Sequence, residues 1–190
     1  MFFSFCMGLI TILFSKNTKK EVSLFGHDLV GNLDVFYSHF ESINIQVKFM
    51  TINYKQYRKL KQKKLNILYA LYPKHYFSFL NSSFIISSHG LFFHNFINKF
   101  TKIRTYYCGH GFRTSHVKNT NSYNRSLEKF TELWLYSDYE KEIYLHECSY
   151  KKNNIYVTGY ARNDHLSNKN DTSLKELLNT DKIVLIALTE

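Results

Sequence analysis

Seven short runs rich in β-branched and aromatic residues recur along the chain, at residues 22–25, 45–50, 65–71, 84–87, 103–108, 133–136 and 155–158. Stretches with helical spacing separate them. Leu33, Phe36, Tyr37 and Phe40 stand before the second run, and Ile143, Tyr144 and Glu147 before the last. Strand, helical crossover and strand repeated in this rhythm predict an α/β protein with a mainly parallel sheet, because parallel neighbours need a long connection and a helix supplies one. In such sheets, binding residues sit in the loops just beyond the strands' carboxyl ends.

Composition narrows the partners. A hydrophobic fraction of 44% with 17% aromatics is ample for a packed core, and 190 residues allow one domain or little more. Lys and Arg (25) exceed Asp and Glu (15), for a net charge of +10. The same chain is rich in Asn, Ile, Phe and Tyr, a skew that AT-rich coding produces by itself. No RRM, KH or helix-turn-helix signature accompanies the charge, so nucleic acid is not expected as a partner. Cys6, Cys108 and Cys148 lack CxxC or CxxH spacing, which argues against a disulfide framework and fits a reducing compartment. The nine His form no HExxH-like cluster, so neither a metal nor another cofactor is expected.

Four of the predicted strand ends place His, Arg, Asn or Asp beside Gly. The first loop holds His27, Asp28, Gly31 and Asn32 ahead of a helix, whose free N–H groups favour an anion. It lacks the Walker A and GxGxxG patterns, and Asn32 is equally placed to cap the helix. His89 and Gly90 follow the fourth strand. Gly109-His110-Gly111 follows the fifth, where flanking glycines permit close approach and an imidazole suits proton abstraction from a hydroxyl; an ordinary turn His is the alternative. Arg113 nearby has the geometry to clamp a phosphate, or simply to stay solvated. After the seventh strand, Arg162 and Asp164 read as a turn, an interdomain ion pair or a hinge.

Two further segments bear on membranes. Residues 1–14 are apolar and turn basic at Lys16, Lys19 and Lys20. The stretch falls short of the roughly 20 residues a spanning helix needs. An interfacial anchor, a packed segment or misplaced start, and a signal sequence all remain open for it. Residues 54–64 carry Lys55, Arg58, Lys59, Lys61, Lys63 and Lys64 with Tyr54, Tyr57 and Leu60 at helical spacing. This pattern fits a helix lying on an anionic membrane with its aromatic stripe inward, a nucleic-acid-binding face whose charges neutralise phosphates, or a solvated face. Residues 168–180 read as a linker and small helix, and 183–188 as a buried strand. The expected division is a segment 1–20, a Rossmann-like domain 21–165, and 166–190 as linker plus the first strand of a second domain.

Taken in order, residues 25–33, Ser87-Ser88-His89-Gly90, Tyr106-Tyr107-Cys108-Gly109-His110-Gly111, residues 135–143, and Val157-Thr158-Gly159-Tyr160-Ala161-Arg162-Asn163-Asp164 resemble the CDP-glycerol glycerophosphotransferases, the teichoic-acid-type polyol phosphate transferases. The resemblance runs from Val22 to Asp164. It implies a GT-B-like architecture with the acceptor handled by the N-terminal domain and a CDP-activated polyol bound by a C-terminal one. It also implies transfer of a polyol phosphate to a hydroxyl of a lipid-linked or polymeric acceptor, with release of CMP, peripherally at the cytoplasmic membrane face. His110 inherits the general-base role. His27, Asp28, Asn32, His89, Gly109, Gly111, Arg113, Arg162 and Asp164 are the expected substrate-side residues. The chain departs from the family pattern at Gly109, where Trp is common, and at Ala161, where Pro is usual; Lys118 stands near a common Lys position. Without the donor half, a non-catalytic remnant or membrane-surface module is the alternative.

Overall fold

A computed structural model describes residues 21–91, 94–111, 127–147 and 152–164. The expected segment 1–20, Arg113, Lys118, the linker 168–180 and the strand 183–188 lie outside the described residues. All seven anticipated strands form: β1 (Glu21–Phe25), β2 (Gln46–Thr51), β3 (Ile67–Tyr69), β4 (Phe84–Ser87), β5 (Arg104–Tyr107), β6 (Glu132–Leu135) and β7 (Ile155–Val157). Helices α1 (Asn32–Ser42), α2 (Tyr54–Gln62), α3 (Pro73–Leu80), α4 (His94–Phe100) and α5 (Asp138–Glu147) lie between them. The strands join in one sheet of order β3-β2-β1-β4-β5-β6-β7, and every pairing is parallel.

The order explains the burial. The chain winds outward from β1 to β3, then returns to the other side of β1 and winds outward from β4 to β7. Central strands are therefore covered on both faces, and all five residues of β1 are buried. Alternation sends Leu24 into a cluster with Leu33, Tyr37 and Phe49, and Phe25 into another with Met50, Phe79 and Ile85. The run 65–71 yields only three strand residues, because β3 is an edge strand with β2 as its neighbour, and Leu71 turns outward.

Two helix readings change on seeing the packing. In α2, Asn53 caps the first turn by accepting from the Lys55 and Gln56 amides. Tyr57 and Leu60 are buried against the sheet with Ile67 and Tyr69, leaving Tyr54 half exposed and the lysines in solvent, so of the three readings the solvated face fits and an inward membrane stripe does not. Helix α1 opens at Gly31, whose φ of 60° suits glycine, and it has no side-chain cap. Asn32 is thus not the cap; its side chain is used elsewhere.

Sequence patterning also concealed a charge inside the sheet. Lys48, in the middle of β2, is buried, pairs with Glu21, and donates to the Ser78 carbonyl at 2.6 Å. The partners become visible only through the register that sets Ser23 beside Lys48 and Glu21 beside Gln46.

Candidate active site

The winding reverses between β1 and β4, and the crevice beyond their carboxyl ends is where a doubly wound sheet holds ligands. A cleft of about 370 Å³ opens there. Loop β1–α1 contributes His27, Asp28, Val30, Gly31 and Asn32 to its lining; the β4 end contributes Ser88 and His89; the β5 end contributes Gly109 and His110; and Arg162 arrives from beyond β7. Seven of the ten expected site residues thus line one cavity. Gly111 and Asp164 are described but do not line it, and Arg113 falls outside the described residues. Asp164 follows the short 3₁₀ turn Ala161–Asn163 and is exposed.

Asn32 binds the loops together. Its Nδ2 donates to the carbonyls of Cys108 at 2.9 Å and Gly109 at 3.1 Å, and its Oδ1 accepts from the Arg162 amide at 3.1 Å. One buried amide side chain at the start of α1 therefore ties the β5 and β7 ends to the helix N-terminus. Gly109 takes a φ of 63°, and a Cβ there would stand 3.2 Å from the Tyr160 ring, so any other residue costs about 1–2 kcal/mol in backbone strain before that contact is relieved.

The imidazoles are ordered by local bonds. His110 Nδ1 lies 3.1 Å from the Ser88 carbonyl, which can only accept, so Nδ1 carries the proton and neutral His110 keeps a lone pair on Nε2. The His89 ring stacks on His110 with centroids 4.5 Å apart and planes 12° off parallel, and its Nδ1 meets the Ser88 hydroxyl at 2.8 Å. His27 pairs with Asp28 at 3.1 Å, and Asp28 also accepts from Asn53 Nδ2 at 3.1 Å. The Thr51 hydroxyl donates to the His27 carbonyl, and Arg162 Nη1 donates to the His110 carbonyl at 3.0 Å.

Burial, followed by the neighbouring His110 and His27, holds His89 below its ordinary value of 6.5, against the opposing pull of Asp28. A His that is neutral when folded takes up a proton on unfolding. Its contribution to stability is full above about pH 6.5 and is lost as pH falls through that value toward the folded one. His89→Gln is therefore expected to flatten the decline in denaturant midpoint between about pH 7 and pH 5. An unchanged decline would remove His89 as its source. His75, also depressed by burial, supplies a slope of the same sign that remains in the variant.

Gly31, already read as part of the first loop, lines the cleft with Val30 and Ser88, which had not been singled out as site residues, and Thr51 and Asn53 brace the first loop from β2 and the start of α2. Ser88 was detectable as the residue before His89; Thr51 and Asn53 were not, since nothing local ties Thr51 to His27 or Asn53 to Asp28. Among the described residues, no three or more His, Cys, Asp or Glu converge as metal ligands.

Comparison with solved structures places this architecture. The chain shares the fold of about half of the wall teichoic acid polymerase TagF. Over 93% of this chain and 48% of the other, a histidine-to-alanine variant of TagF superposes with a TM-score of 0.67 at 16% identity. TagF itself matches over 92% of this chain and 47% of its own with a TM-score of 0.65 at 17% identity. A histidine-to-asparagine variant soaked with CDPG matches over 93% of this chain and 49% of its own, with a TM-score of 0.65. The chain spans about half the length of these structures. The α/β, GT-B-like reading with a Rossmann-type parallel sheet is thereby met. No protein-family model and no curated protein matches the sequence.

Proposed function

We propose that this cleft is the acceptor side of a transferase site that moves a polyol phosphate from a CDP-activated polyol to a hydroxyl of a lipid-linked or polymeric acceptor. The observation that carries the reading is the His110 Nδ1–Ser88 carbonyl bond, which leaves Nε2 as the basic nitrogen at a cleft that also holds the Arg162 side chain. In this reaction the acceptor oxygen attacks the β-phosphorus, its proton passes to His110 Nε2, and the bond from that phosphorus to the bridging oxygen breaks. CMP leaves with the bridging oxygen. Arg162 keeps guanidinium N–H groups beyond the one given to His110, and the first turn of α1 offers backbone N–H groups; both oppose the phosphoryl charge.

The fold likeness to a wall teichoic acid polymerase and the ordered loop blocks support the same reading, and the CDPG-soaked structures favour CDP-glycerol as the donor to try first. The test supplies the full-length protein with CDP-glycerol and a lipid-linked hydroxyl acceptor. One CMP is expected for each glycerol phosphate incorporated. Absence of CMP release across a panel of CDP-polyols would overturn the proposal.

Work on a lipid-linked acceptor calls for peripheral attachment at the cytoplasmic membrane face. Among the described residues, no helix is long and apolar enough to cross a membrane. With Tyr57 and Leu60 committed to the core, attachment through α2 rests on its exposed lysines. Replacing Lys59, Lys61, Lys63 and Lys64 by Gln is expected to weaken association with vesicles containing anionic phospholipid at low salt. Unchanged association would exclude α2 as the contact.

A further inference from the structure

Behind the cleft, a buried carboxylate holds a tyrosine that touches both halves of the catalytic loop's support. Glu140, on the first turn of α5, is buried; its Oε2 accepts from the Tyr136 amide at 2.7 Å and its Oε1 accepts from the Tyr160 hydroxyl at 3.2 Å. The Tyr160 ring stacks on Tyr136 at 5.1 Å. One part of Tyr160 lies against Gly109, close enough that a Cβ there would meet it at 3.2 Å. The Arg162 guanidinium sits 4.9 Å from the centre of the same ring, and that guanidinium donates to the His110 carbonyl.

We propose that Tyr160, clamped by Glu140, is a positioning residue that seats the Gly109–His110 turn and Arg162 together. The ring supplies the seat, since it presents a flat surface to Gly109 and a π face to the guanidinium. The hydroxyl fixes the ring, since its bond to a carboxylate already engaged by the Tyr136 amide leaves one orientation. Burial and the adjacent Glu140 carboxylate push the Tyr160 phenol well above its ordinary value, so it remains the donor in this bond. His110 depends on the arrangement because its ring position follows from the backbone of this turn, and the Nδ1 bond to Ser88 survives only while the turn stays in place.

The kinetic part of this role rests on the transferase reading; the structural part does not, and the experiment separates them. The full-length protein is labelled with ¹⁵N-histidine, and His110 is assigned by comparison with a His110→Gln sample. In the wild type, imidazole correlations are expected to show His110 protonated at Nδ1. Tyr160→Phe keeps the ring but loses the bond that fixes it, and should give a partial loss of that pattern, between wild type and the variant without the ring. Tyr160→Leu removes the ring and should give mixed tautomers, with kcat for CMP release down about a hundredfold and the KM for CDP-glycerol within about twofold. Glu140→Gln keeps one acceptor but turns an amide donor toward the other N–H or O–H, and should lower kcat about tenfold. Thermal unfolding followed by circular dichroism verifies that each variant is folded; should Tyr160→Leu not fold, Glu140→Gln with the tautomer measurement decides. A wild-type His110 pattern in folded Tyr160→Leu, or in Glu140→Gln where that variant decides, overturns the positioning role. If the wild type itself releases no CMP, the transferase reading fails and the tautomer measurement alone judges Tyr160.

Discussion

His110→Ala is expected to lower kcat for CMP release by about 10²–10⁴-fold, the range that removal of a positioned general base produces. The loss should fall on kcat and leave the donor KM nearly unchanged, because the proton is taken only as the acceptor oxygen attacks. His89 is the competing candidate, since its ring lies parallel to His110 in the same cleft. The local bonds separate the two. His110 faces a carbonyl, so its proton is fixed on Nδ1; His89 faces a hydroxyl, which donates or accepts and leaves either tautomer open. A base must present its lone pair reliably, and the geometry meets that condition at His110. His89→Ala should accordingly cost far less than His110→Ala in side-by-side single-turnover assays. Activity within about threefold of wild type in folded His110→Ala would remove the base from the mechanism, while a larger loss at His89 would transfer the role.

Sheet and site were legible from different kinds of signal. The strands were readable because each is a short β-rich run between helical stretches, and parallel burial leaves those runs apolar, as in Phe84-Ile85-Ile86. Their ends collected into one cleft because a parallel sheet points all carboxyl ends the same way, so His27, His89 and His110 converge without any local motif joining them. What stayed hidden depends on distance along the chain. Glu140 and Tyr160 are 20 residues apart, and Asn32 lies 130 positions from the Arg162 amide it accepts from. Capping is the commonest use of an Asn at a helix start, and that local expectation pointed away from the strut that Asn32 forms. The stripe Tyr57–Leu60 left its cover open: an amphipathic pattern reports that one face is covered, and the sheet, not a membrane, covers it here.

Asn32→Asp should be the most damaging conservative substitution in the cleft, and its cost should grow with pH. The wild-type Nδ2 serves two carbonyl oxygens from a buried position, 4% exposed. A carboxylate there would set a charged acceptor against two further acceptors with no donor between them. Protonation repairs part of this, since a carboxylic acid donates to one of the carbonyls. The folded-state pKa of the introduced group therefore rises above the unfolded value of about 3.9, and the variant loses stability as pH climbs from there through the raised value. Near pH 4 the deficit should be about 1–2 kcal/mol, for one unmet carbonyl; near pH 7 it should reach about 3 kcal/mol or more, by denaturant unfolding against wild type at each pH. This trend opposes that of His89, whose contribution increases with pH, so a widening gap cannot come from that imidazole. Asn32→Leu discriminates further. It leaves both carbonyls and the Arg162 amide unpaired without adding charge, so its deficit should be about 2–4 kcal/mol and flat with pH. A pH-independent or sub-kilocalorie effect in Asn32→Asp would mean that water reaches these carbonyls and that Asn32 does not hold the three loop ends together.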